Sequence, residues 1–214
     1  MKKIIFSTVL ALLVGIIFTQ CKKKKGDPDP GIKAPTPLAC TNLTGVRDSY
    51  LPNTTGTQWV YKGGQNYTST VSCDTIVGTA IYTKMYNSKS TVPGLFRKDG
   101  TTYVSIGSTL LNNFIVLKDE AVNTTWTNNY PNLIGNYDYK YELTIEARDL
   151  TKVVNGVTFT NVIKVKQEIF IDLKDGDGFD SEEIDYYYYA KGVGFIYGEF
   201  ATVADVYLES YSIK

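Results

Sequence analysis

The chain has 214 residues, with 22 lysines and arginines against 22 aspartates and glutamates, and no histidine. That length suits one domain with a substantial core, and a formal net charge of zero supplies no basic field of the kind nucleic-acid binding requires. Without histidine the usual base of a Ser-His-Asp or Cys-His arrangement is missing, as is the commonest metal ligand. No P-loop, Rossmann glycine pattern or zinc-type cysteine pair occurs either.

The first element is a short export signal. Lys2 and Lys3 precede an apolar run over residues 4–18, broken only by Ser7, Thr8 and Gly15. A membrane-spanning helix needs about 20 apolar residues, so the run reads as a signal peptide of residues 1–20. It closes on Phe18-Thr19-Gln20-Cys21, and Lys22 to Lys25 follow at once. At these residues the chain resembles bacterial lipoproteins of the Bacteroidota type, in which the cysteine becomes the mature N-terminus and carries the lipid. Phe18 and Gln20 depart from the usual Leu and Gly/Ala of the lipobox. The alternatives are an exported protein with a chance cysteine and an uncleaved signal anchor. The resemblance implies acylation of Cys21 with palmitate-type chains and attachment to the outer membrane. Acidic residues directly after the cysteine mark surface export in some related lipoproteins. Here Asp27 and Asp29 come later, which implies the periplasmic side.

Residues 21–40 form a tether. Pro28, Pro30, Pro35 and Pro37 are four of the seven prolines, and such a stretch builds no core. The lysines either lie against anionic headgroups or form a solvated charge run. Cys40 and Cys73 are the remaining cysteines. In an oxidising compartment they can pair, and closing that loop stabilises by roughly 3–4 kcal/mol; two free thiols are the alternative.

Residues 41–214 read as a single all-β domain. Seventeen tyrosines with many valines, isoleucines and threonines favour strands. Short strands are expected at 58–62, 67–73, 75–86, 95–98, 102–106 and 113–117. Gly63-Gly64, Pro93-Gly94 and Asp99-Gly100 supply turns between them. The clearest strand is 136–148, where Tyr139, Tyr141, Leu143 and Ile145 alternate with Lys140, Glu142, Thr144 and Glu146. Residues 162–173 repeat the pattern, and Asn155-Gly156 between them is a hairpin signal. A connection over 174–183 and strands at 184–190, 193–200 and 206–214 complete the chain. No ten-residue helical stripe is present. The expected fold is antiparallel sheet curled into a half-barrel, a barrel or a sandwich.

Two further runs carry a second resemblance. Tyr50-Leu51-Pro52 with Gly56 and Trp59-Val60-Tyr61 is similar to the opening of many uncharacterised secreted lipoproteins. Tyr188-Tyr189-Ala190-Lys191-Gly192-Val193-Gly194 and the closing Ser210 to Lys214 are similar to their ending. Some members look like curved-sheet lipoproteins that handle lipids, which implies architecture more than activity.

Two segments carry candidate chemistry. Asp175, Asp177 and Asp180, spaced by Gly176 and Gly178, resemble part of a calcium loop. An EF-hand would need acids at Leu173 and Ile184, so a polar hairpin tip is the first reading and a Ca²⁺ site the alternative. Tyr186, Tyr187, Tyr188 and Tyr189 place aromatics on both faces of one strand. Two are expected in the core and two outside or lining a concavity, where they could stack on a sugar or line an apolar groove. The combined expectation is a non-catalytic, membrane-anchored envelope protein binding a lipid, glycan or protein partner, with no nucleic acid and no obligatory cofactor. The alternatives are a carboxylate-based glycan hydrolase and a structural or assembly subunit without a small ligand.

Overall fold

The computed structural model describes Cys40, residues 45–106 and residues 113–214. The signal segment, Cys21, Lys22 to Lys25 and the proline-rich tether lie outside the described residues. Among the described residues the regular structure is strand throughout: β1 (Gln58–Gly63), β2 (Tyr67–Val77), β3 (Ala80–Asn87), β4 (Gly94–Asp99), β5 (Thr102–Ile106), β6 (Phe114–Lys118), β7 (Thr125–Ile134), β8 (Tyr137–Val154), β9 (Val157–Asp172), β10 (Phe179–Ala190), β11 (Gly194–Glu199) and β12 (Val206–Ser212). They form one antiparallel sheet in the order β6-β5-β4-β3-β2-β1-β12-β11-β10-β9-β8-β7. The sheet curls into a nearly closed barrel, so the sandwich alternative is excluded.

The alternation read in β8 and β9 is realised. Tyr139, Tyr141, Leu143, Ile145, Ile163, Val165, Ile169 and Ile171 are buried, while their chain neighbours, apart from the buried Val162, are wholly or partly exposed. Asn155 and Gly156 both adopt positive φ, 49° and 78°, and turn β8 into β9, as a two-residue hairpin requires. Several expectations need correction. Residues 75–77 belong to β2, because the break falls at Gly78-Thr79 rather than beside Cys73. Residues 179–183 are the start of β10 and not connection. There the exposed acids sit on a strand paired with β9 on one side only.

β7 was not expected at all. Its inward positions include Asn128, and it contains Pro131, both poor strand signals. An edge strand tolerates them, because one side of its backbone has no ladder to satisfy. Asn128 in turn closes the seam. Ile115 on β6 faces β7 without a backbone ladder, yet its polar groups are met by side chains. Its N–H donates to Asn128 Oδ1 at 2.8 Å, and its carbonyl accepts from Asn128 Nδ2 at 3.2 Å and from Trp126 Nε1 at 2.9 Å. The Asn128 amide thus stands where a neighbouring strand's peptide would. Asn128→Ala leaves the Ile115 N–H without that acceptor in a partly buried place. We expect a loss of about 1–3 kcal/mol, read from the urea midpoint; an unchanged midpoint would show that the amide bridge does not hold the seam.

Residues 45–57 cross one end of the barrel as a plug. Ser49 O accepts from Gly192 N between β10 and β11 (2.8 Å), Tyr50 N donates to the Tyr103 hydroxyl on β5 (3.3 Å), and Asn53 Nδ2 donates to Thr83 Oγ1 on β3 (3.1 Å). The chain leading into this plug is held to β2 by a disulfide: Cys40 and Cys73 are bonded, with Cα atoms 5.6 Å apart.

Candidate functional site

Beneath the plug lies a cavity of about 130 Å³. Leu51 of the plug, Trp59 and Tyr61 of β1, Met85 of β3, Phe96 of β4 and Phe195 of β11 give it a mainly apolar lining. Strand alternation explains the set, since Trp59 and Tyr61, or Tyr67 and Ser69, are two residues apart and share a face. The indole of Trp59 is fixed from behind. Its Nε1 donates to Val193 O at 2.5 Å, and it rests on Gly194, where an added Cβ would stand 3.3 Å from that nitrogen. Gly194 also has φ 113°, so both backbone and packing demand glycine there.

Three phenols meet inside. The Tyr61 and Tyr67 rings stack with centroids 4.8 Å apart, and Phe195 packs against both Tyr61 (5.6 Å) and Tyr189 (5.8 Å). The Tyr61 hydroxyl donates to Phe195 O at 3.0 Å. Tyr67 and Tyr189 are 6% and 7% exposed and line the cavity. Among the described residues neither of their hydroxyls has a hydrogen-bond partner. Burial pushes all three phenols up, and proximity to one another adds to this for Tyr61 and Tyr67. They therefore stay protonated at neutral pH and present O–H donors to an apolar space. No carboxylate lines this cavity among the described residues.

The tyrosine run divides as strand geometry requires. Tyr187 and Tyr189 point inward, and the Tyr187 hydroxyl accepts from Gln167 Nε2 at 3.3 Å. Gln167 is 1% exposed, an inward polar residue that the β9 pattern did not single out. Tyr186 and Tyr188 lie on the outer face, where both are covered. Lys164 Nζ sits 3.9 Å above the Tyr186 ring, and Lys152 Nζ sits 3.7 Å above Tyr188 and 4.2 Å above Tyr197. Tyr188 also donates to Glu199 Oε1 at 3.0 Å, and Lys152 and Lys164 pair with Glu199 and Glu146. The outer pair therefore forms a self-satisfied Lys–Tyr–Glu network rather than an open stacking platform.

The acidic loop joins β9 to β10. The Asp175 carboxylate accepts from Asp177 N at 3.4 Å, and Lys174 bridges Asp138 and Asp172. Among the described residues no three acidic side chains are grouped to hold a metal ion. Asp180 lies on β10, paired with Ile171 of β9. A different carboxylate is unusual. Asp185 on β10 is 0% exposed; its Oδ1 accepts from Ala201 N at 3.2 Å, and among the described residues no hydrogen bond within normal geometry reaches its Oδ2. Burial, with the charge of Glu183 nearby, pushes it up to about 7.

No family model matches the chain, and no curated protein matches it. Two solved structures are similar. One is described as a lipoprotein from Parabacteroides distasonis, 14% identical, with a TM-score of 0.45, covering 77% of this chain and 99% of that one. The other is described as an exported protein with a YmcC-like fold from Bacteroides fragilis, 11% identical, with a TM-score of 0.47, covering 77% of this chain and 99% of that one.

Proposed function

We propose that this is a non-catalytic envelope protein, tethered to the outer membrane through Cys21 on the periplasmic side, whose barrel binds the apolar part of a small lipid-like ligand. The observation that carries this reading is the cavity under the plug, lined by two phenols whose hydroxyls have no hydrogen-bond partner among the described residues. Its volume of about 130 Å³ is close to the roughly 150 Å³ that admits a benzene ring. One ring fits, or the end of a short acyl chain. Phenol donors in an apolar wall suit a ligand whose carbonyl or carboxylate accepts hydrogen bonds while its chain packs on Trp59 and Phe195. Glycan hydrolysis by two carboxylates is disfavoured at this place, since hydrolysis needs acids flanking the bond and the lining supplies apolar groups instead.

Octanoate is a suitable test compound. Trp59 lines the cavity, so titration should give a saturable change in its fluorescence. Tyr67→Phe and Tyr189→Phe, which remove a hydroxyl and nothing else, should each weaken binding about tenfold, the equivalent of roughly 1.4 kcal/mol. Ser69→Leu, which fills the space, should abolish the response. No saturable change with the wild-type protein removes the reading; binding that both Phe variants leave unchanged removes the role of the phenols.

A further inference from the structure

We propose that the β2–β3 hairpin is a membrane-docking wedge that sets the domain plug-end down on the bilayer. Ile76 and Ile81 face each other across the hairpin and are 56% and 57% exposed, with Val77 exposed beside them. Residues 75–83 carry no charge. The charged residues that bracket them, Asp74 and Lys84, are buried, so the tip offers only apolar and hydroxyl groups. Val46 of the plug is also exposed, and it belongs to the same end: its N–H donates to Asn53 Oδ1 (2.6 Å), and Asn53 donates to Thr83.

Two further observations name the partner as lipid. The first is where the tether arrives. Cys40 follows Cys21 by 19 residues and is bonded to Cys73, four residues before Val77. A chain lipidated at Cys21 is therefore delivered to the domain beside this tip. That step rests on reading Cys21 as the anchor. The second is charge polarity. The antiparallel order makes β2 run toward the hairpin end and β9 toward the opposite one. The β9–β10 loop, with Asp175 and Asp177, and the acids at the start of β10 consequently lie at the far end of the barrel. Anionic headgroups repel such a cluster and accept an uncharged apolar tip, which is the orientation that the tether imposes.

The test uses the full lipidated chain in vesicles of phosphatidylethanolamine and phosphatidylglycerol. Ile76→Trp adds a reporter at the tip, Ile81→Trp repeats it on the facing strand, and Ile184→Trp on β10 is the control for the acidic end. Trp59 and Trp126 are buried and give a constant background that the wild type subtracts. Phospholipids brominated on the acyl chains should quench at least half of the added emission of both tip reporters and leave the Ile184→Trp emission unchanged. Equal emission in brominated and plain vesicles, with the protein pelleting alongside them, overturns the wedge while leaving the anchor intact. Mass spectrometry of the Cys21 peptide reads the anchor separately, and an unacylated cysteine overturns the anchor and with it the docking as stated.

Discussion

Replacing both Cys40 and Cys73 with serine should destabilise the protein by about 3–4 kcal/mol in urea melts without reductant. The bond spans 33 residues, and the chain-entropy cost of leaving a loop of that size open in the unfolded state is about 3–4 kcal/mol. Set against a typical domain stability of about 5–15 kcal/mol, that is a large share. Adding reductant to the wild type should produce a loss of similar size, and reductant should do nothing to the double variant. A wild-type midpoint that does not respond to reductant would show that the bond contributes no stability. The structural reason for expecting the full effect lies in what the bond pins. It ties the chain entering the plug to β2, and plug residues Ser49, Tyr50 and Leu51 cover the end of the barrel above the cavity.

The second large effect is a pH dependence centred on Asp185. Its folded-state pKa is raised from 3.8 to about 7, by burial first and by Glu183 second. Between these values the folded chain keeps a proton that the unfolded chain has released, so stability falls as pH rises. The contribution is full below about pH 4 and is lost as pH passes through about 7. A shift of this size corresponds to about 4 kcal/mol. Asp185→Asn should therefore match the wild type near pH 4 and exceed it by about 4 kcal/mol at pH 8. Glu183→Gln should reduce the slope without removing it. Wild-type and Asp185→Asn stabilities that run parallel from pH 4 to 8 would show that this carboxyl does not carry the dependence. The β11–β12 connection is the place to look for the structural consequence. Asp185 holds Ala201 N, and Glu183 accepts from the Thr202 hydroxyl at 2.8 Å.

Much of the sheet was legible because strand alternation is local. The period-2 pattern of β8 and β9 and the Asn155-Gly156 turn needed nothing beyond neighbouring residues. The division of Tyr186 to Tyr189 into an inner and an outer pair followed from the same rule. β7 escaped because Asn128 and Pro131 contradict strand composition, and their justification lies across the seam at Ile115. Gln167 escaped for a similar reason, since an inward amide makes sense only once the Tyr187 hydroxyl is beside it.

By itself, the sequence determined an antiparallel β-domain and which side chains of each strand share a face. Only the tertiary structure decided that the sheet nearly closes, that a plug covers one end, and that phenols from β1, β2 and β10 meet in one cavity. Alternation specifies the two faces of a strand, whereas curvature depends on bulges and on partners far along the chain, such as β1 with β12. The same division applies to Cys21. Its motif is the basis for expecting an anchor, while the pairing of Cys40 with Cys73 fixes which end of the barrel the chain enters from.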